Sequence, residues 1–142
     1  MTHKLFVYGT LRLSEILRRL IGCELEGRAA WLDNYRSSTV RGAAYPGIRA
    51  GTGWVTAGVV YRGVTASMLA TLDDYEGEMY ERRKVVVRYE TGIPEEVTAY
   101  VIKDAFIHVL SDDEWDLEVF VSQHKARYLD ELSAQDARES NR

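Results

Sequence analysis

The sequence predicts a single mixed α+β domain: a curved, barrel-like sheet of short strands with helices on its outside. Three observations predict it. Strand-like runs are many and short, whereas helical ones are few. Their order is strand, short helix, several strands, helix, hairpin, long helix, without the strict alternation that marks a doubly wound parallel sheet. The chain has 142 residues, 46% hydrophobic and 28% charged. That is one domain's worth of ordinary globular composition.

The elements follow in order. Lys4 to Tyr8 (KLFVY) is a compact run of strand formers stopped by Gly9. Ser14 is placed to cap a short helix, EILRRLI, with Ile16, Leu17, Leu20 and Ile21 on one side. Glu24 to Val40 reads as one or two strands with a turn at Asp33-Asn34. Tyr45-Pro46-Gly47-Ile48 and the TGIPEE segment around Pro94 read as turns. Gly51-Thr52-Gly53 reads as a turn before the strand Gly53 to Tyr61. Thr65 is expected to cap a helix reaching about Asp74, with Met68, Leu69 and Leu72 on its buried face. Met79 to Glu90 and Val97 to Lys103 form a hairpin around Thr91-Gly92. Ser111-Asp112-Asp113-Glu114 matches a capping box, which predicts the longest helix from Ser111, carrying Trp115, Val119, His124, Tyr128 and Leu132. Residues 1–132 are expected to form the domain, and 133–142 (SAQDARESNR) to be a disordered tail.

Composition excludes several classes. The 22 acids outnumber the 18 Lys plus Arg, for a net charge of −4. A protein that neutralises phosphates needs a basic footprint, so nucleic acid is not an expected partner. No run is long enough for a signal-peptide core or a bilayer span, so no membrane is expected. The single cysteine, Cys23, cannot form an internal disulfide. It reads as a buried small hydrophobe in a reducing compartment. The expected protein is a cytoplasmic monomer or small homo-oligomer. His3, His108 and His124 show no metal-ligand spacing, and no metal or cofactor is expected. His124 reads as a half-buried helix residue near Tyr128.

Two segments carry chemistry. In Phe6 to Arg12 (FVYGTLR) a buried strand ends at Tyr8 and the chain turns through Gly9. Glycine there permits backbone angles closed to other residues and close approach to a ligand. The amides of Gly9, Thr10 and Leu11 could then converge as a small anion nest. In Leu72 to Val87 (LDDYEGEMYERRKVVV) the acids Asp73, Asp74, Glu76, Glu78 and Glu81 crowd together. Most read as solvated charges. Glu76 differs, because it stands at a helix end just before Gly77, where its carboxyl can turn inward. Burial and nearby acids would both favour its protonated form and so poise it for proton transfer near neutral pH.

FVYGTLR, YPGI, LDDYEGEMYER and the Trp-bearing EWDLEVF, in that order, resemble the gamma-glutamylcyclotransferase-like superfamily. The branch resembled is that of small plant and bacterial proteins akin to the avirulence-induced-gene products and the gamma-glutamylamine cyclotransferases. The resemblance runs from about Lys4 to Tyr128 and implies a small mixed β-barrel with flanking helices. It also implies a cofactor-free reaction that turns a small gamma-glutamyl amine or peptide into 5-oxoproline and a free amine. In this sequence the loop that holds the gamma-glutamyl group corresponds to Tyr8, Gly9, Thr10 and Leu11. The acid/base corresponds to Glu76, and a substrate-contacting tyrosine to Tyr80. The stretch from Glu76 to Tyr80 is shorter than in the family's animal enzymes. The competing expectation is a non-catalytic protein that binds a small carboxylate in the same cavity.

Overall fold

A computed structural model describes residues 2–140. Six strands are present: β1 (Thr2–Val7), β2 (Gly27–Val40), β3 (Pro46–Thr65), β4 (Tyr80–Arg88), β5 (Pro94–Ile102) and β6 (Leu110–Glu114). Four helices accompany them: α1 (Ser14–Ile21), α2 (Ala66–Glu76), α3 (Leu117–Gln123) and α4 (Lys125–Ser140). Short 3-10 turns occupy Thr10–Arg12 and Asp104–Val109.

The sheet order is β3-β1-β5-β4-β2-β6, and β3 pairs with β2 as well. β1 lies antiparallel to β3 and parallel to β5, and the other ladders are antiparallel. The pairings therefore follow a ring, but the β2–β4 link is a single pair, Trp31↔Arg88. The sheet is strongly curled, and the barrel is not clearly closed.

Alternation along β1 divides the core. Leu5 and Val7 pack with Ile16, Leu17, Leu69, Leu72 and Phe120 on the helix side. Phe6 and Tyr8 face Leu32, Ile48, Val87 and Ala99 inside the curl. β5 does the same, with Tyr100 and Ile102 outward and Val97, Ala99 and Val101 inward. Strands buried on both faces read as continuous apolar runs, which is why KLFVY shows no polar interruption.

Several sequence expectations hold. Thr65 caps α2, its Oγ1 accepting from the Met68 amide at 3.2 Å. β4 and β5 form the expected hairpin, closed by a bond from the Gly92 amide to the Tyr89 carbonyl at 2.9 Å. Others are corrected. Ser14 is the first helical residue and caps nothing, because the Thr10–Arg12 turn already leads into α1 through Leu13. No turn breaks β2 at Asp33-Asn34. Asn34 (φ 62°) and Gly53 (φ 85°) form a paired irregularity, joined by the Gly53 amide donating to Asn34 Oδ1 at 3.0 Å. A bulge bends a ribbon without ending it, so Gly51-Thr52-Gly53 also lies within β3. The YPGI turn falls earlier, at Arg41–Tyr45, and Pro46 opens β3, as Pro94 opens β5. Proline is tolerated at a strand's first residue because no ladder donor is lost there.

The largest correction concerns SDDE. Leu110–Glu114 forms β6 beside β2, with Ser38↔Glu114 and Val40↔Leu110 as partners. Ser111 Oγ accepts only from the nearby Asp113 amide. The helix begins at Leu117, where Asp116 Oδ1 accepts from the amides of Glu118 (2.8 Å) and Val119 (3.3 Å). His124 then separates α3 from α4, so the expected long helix is two. The backbone of α4 takes in residues 133–140 of the stretch expected to be disordered, and 141–142 lie outside the described residues. Cys23 is half-buried rather than buried. Among the described residues no helix is long and apolar enough to cross a membrane.

Candidate active site

Tyr8 follows directly on β1 and is buried, its hydroxyl donating to the Tyr100 carbonyl at 2.6 Å. The chain then turns at Gly9. Glycine is needed there for proximity and not for an unusual φ, which is an ordinary −117°. A Cβ at Gly9 would lie 2.8 and 2.9 Å from Cγ and Cδ of Pro46. A proline ring cannot swing aside as a flexible side chain can, so Gly9→Ala must displace the loop. Overpacking of this kind costs about 1–3 kcal/mol. We expect that loss in urea unfolding, together with weakened binding of any ligand the loop holds.

The turn at Thr10–Arg12 leaves amides unused, as helix starts do. Among the described residues, the amides of Gly9, Thr10 and Leu11 donate to no acceptor in the chain. Thr10 Oγ1 lies 2.9 Å from the Tyr75 hydroxyl, and that hydroxyl is bonded to the Tyr128 hydroxyl of α4.

Glu76 is the last residue of α2. The helix stops because Gly77 takes φ 83°, and the Gly77 amide closes the final turn on the Asp73 carbonyl at 3.0 Å. Tyr80 opens β4 a few residues later and donates to the Pro46 carbonyl at 2.6 Å.

Tyr8, Gly9, Thr10, Leu11, Glu76 and Tyr80 all line one cavity of about 130 Å³. Glu76 is the only carboxyl among the lining residues described, and no cationic side chain joins it. Glu76 keeps some solvent access through the cavity, while the protein around its carboxyl pushes the pKa up to about 8. Burial alone does this, so the expected contribution of neighbouring acids is corrected. Burial also raises Tyr75, Tyr80 and Tyr100 far above neutrality, so they remain neutral hydroxyls. The wall thus combines hydroxyls, free amides and one carboxyl that exchanges its proton near neutral pH.

Sequence reasoning missed four tyrosines of the wall. Tyr45, Tyr75, Tyr100 and Tyr128 line the cavity as well. Tyr75 was marked only by adjacency to Glu76, and Tyr128 by its helical spacing. Asp73 is not a freely solvated member of the acidic run. Its Oδ1 accepts from the Tyr100 hydroxyl at 2.7 Å and pairs with Arg82 Nε at 3.1 Å. Asp74 and Glu78 are exposed, as expected.

A curled mixed sheet with one buried carboxyl facing a glycine loop at the end of its first strand defines the class of domain. Residues 5–117 match the family described as "Gamma-glutamyl cyclotransferase, AIG2-like". AIG2-like protein C of Arabidopsis thaliana is 31% identical over 134 residues, covering 89% of this chain and 74% of that protein. A solution structure of another Arabidopsis thaliana protein superposes with a TM-score of 0.70 at 27% identity, covering 91% of this chain and 87% of that one. A structure titled gamma-glutamyl cyclotransferase shares the fold, with a TM-score of 0.65 at 17% identity, covering 94% and 88%. The chain belongs to the gamma-glutamyl cyclotransferase, AIG2-like family, a family of cyclotransferase-like proteins.

Proposed function

We propose that this protein is a gamma-glutamyl cyclotransferase that releases 5-oxoproline and a free amine from a small gamma-glutamyl amine or peptide. The observation that carries the reading is Glu76, the lone carboxyl of the cavity, with its pKa raised to about 8. The substrate's α-amine, beside its own ionised carboxylate, titrates above the roughly 7.7–8.0 of a peptide amino terminus. An unperturbed glutamate, near 4.3, would be a poor base toward it, at about 1.36 kcal/mol for each pKa unit of mismatch. Burial brings the two proton affinities together.

The steps follow from the groups at hand. The substrate's α-ammonium gives a proton to ionised Glu76. The freed nitrogen attacks the substrate's own γ-carbonyl carbon, and a five-membered ring closes. Glu76 returns the proton to the departing nitrogen as the original amide C–N bond breaks, then takes the second proton from the ring nitrogen, which leaves the lactam N–H, and passes it to the freed amine. The free amides of Gly9, Thr10 and Leu11 suit the α-carboxylate or the developing oxyanion. Holding the glutamyl arm folded recovers part of the roughly 7–11 kcal/mol open to well-oriented intramolecular reactions.

The test incubates purified protein with a panel of gamma-glutamyl amines, amino acids and glutathione, reading 5-oxoproline by mass spectrometry. At least one member should yield 5-oxoproline catalytically. For that substrate, kcat/KM should follow a bell, rising as pH is raised toward about 8 and Glu76 ionises, and falling again where the substrate's α-ammonium is lost. Binding without any turnover across the panel would favour the carboxylate-binding reading.

A further inference from the structure

We propose that Asp73 is a positioning residue that clamps the last turn of α2 to β5 through Tyr100 and so fixes where the Glu76 carboxyl sits in the cavity. This rests on the reading of Glu76 as the acid/base.

Among the described residues no group donates a hydrogen bond to the Glu76 carboxyl, so its place depends on the turn that carries it. That turn runs from Asp73 to Gly77 and is closed by the Gly77 amide on the Asp73 carbonyl. The Asp73 side chain ties the same turn outward, accepting from the Tyr100 hydroxyl at 2.7 Å. That hydroxyl also lies 3.4 Å from the Leu69 carbonyl, one turn earlier on α2. The Tyr100 carbonyl in turn accepts from the Tyr8 hydroxyl at 2.6 Å, beside Gly9. One residue of β5 therefore holds both sides of the cavity, the helix end with Glu76 and the strand end with the loop. Tyr75 anchors the turn separately, through Thr10 and Tyr128. Arg82 approaches Asp73 from β4, but its side chain is 44% exposed. Exposed pairs contribute little, so the bond to Tyr100 is the one that positions. The titratable residues that share the cavity with Glu76 are Tyr8, Tyr45, Tyr75, Tyr80, Tyr100 and Tyr128, and among the lining residues described there is no second carboxyl and no cationic side chain.

Four variants separate the possibilities. Asp73→Ala and Tyr100→Phe each remove the clamp. Asp73→Asn keeps an oxygen acceptor for Tyr100, and Arg82→Gln removes only the ion pair. The first readout is the Glu76 carboxyl titration by NMR of protein labelled at glutamate 13Cδ, assigned with Glu76→Gln. It requires no turnover. The wild-type midpoint should lie near 8. In Asp73→Ala and Tyr100→Phe it should fall toward the ordinary carboxylate range, as the loosened turn admits water. Asp73→Asn should recover most of that fall, and Arg82→Gln should show little of it.

The second readout is turnover on a substrate found above. Asp73→Ala and Tyr100→Phe should lower kcat about 10- to 100-fold, the scale of a small misplacement of a reacting group, with KM within a few-fold. Combining them should be no worse than either alone. Tyr100→Phe removes one oxygen and carries the test if Asp73→Ala fails to fold. An unmoved titration in both clamp variants overturns the inference, even if 5-oxoproline release stands. Equal losses in Arg82→Gln and Asp73→Asn also overturn it, since the ion pair would then be the determinant. A shifted titration in a protein that makes no 5-oxoproline upholds the clamp while the proposed function fails.

Discussion

Glu76→Gln should lower turnover about 10²- to 10⁴-fold, the usual worth of a positioned acid/base. Gln keeps the size of the side chain but cannot carry a proton from the α-amine to the departing nitrogen. KM should change little if the loop amides, and not Glu76, hold the glutamyl group. A loss in kcat alone marks an interaction made in the transition state. Steady-state kinetics on wild type and variant decide the point. The controls are Asp74→Asn and Glu78→Gln, both at exposed positions, and both should stay within a few-fold of wild type. Asp73 is unsuited as a control, because it holds Tyr100. Equal losses at Glu76, Asp74 and Glu78 would assign the effect to the summed field of the acidic run. Full activity in Glu76→Gln would end the mechanism.

The same substitution should stabilise the fold at alkaline pH. The folded pKa of Glu76, about 8, lies above its ordinary value of 4.5. Between those values the folded protein retains a proton that the unfolded chain has released, so stability falls as pH rises across that window. Gln does not titrate and escapes this loss. The advantage of Glu76→Gln should be absent below about pH 4.5, grow up to about pH 8 and stay constant above. Taken in full, the gap between 4.5 and about 8 is worth roughly 5 kcal/mol, and water entering the cavity lowers the observed effect to about 2–4 kcal/mol. Urea unfolding of both proteins at pH 5 and pH 9 measures it. Equal differences at the two pH values would mean that Glu76 titrates normally.

These two effects rest on a residue legible in the sequence, while much of its surroundings was not. Glu76 drew notice because a helix visibly ends at Gly77, and Tyr8 to Leu11 because a buried run visibly stops at Gly9. Both are local signals. SDDE was misread for the converse reason. A capping box is a local pattern, and β2 overrides it by taking Leu110 and Glu114 as partners for Val40 and Ser38. Asp116, a better-placed cap two residues on, then starts the helix. Asp73 looked like one acid among several, because its partner Tyr100 comes from β5, a strand away in sequence. The need for glycine at Gly9 was likewise visible, but its cause, the ring of Pro46, appears only once β3 crosses the loop. Strand pairing and side-chain partners across the sheet are tertiary facts, and no local window contains them.

The proposed reaction is an intramolecular ring closure in the cavity that holds Glu76. Real-time 13C NMR tests it most directly, using a gamma-glutamyl amine labelled at the γ-carbonyl. Wild-type protein should convert the amide carbonyl signal to that of the 5-oxoproline lactam, and Glu76→Gln should do so far more slowly. Appearance of the γ-carboxylate of free glutamate would mean hydrolysis by water. That product, or a lactam formed equally fast by Glu76→Gln, would contradict the account.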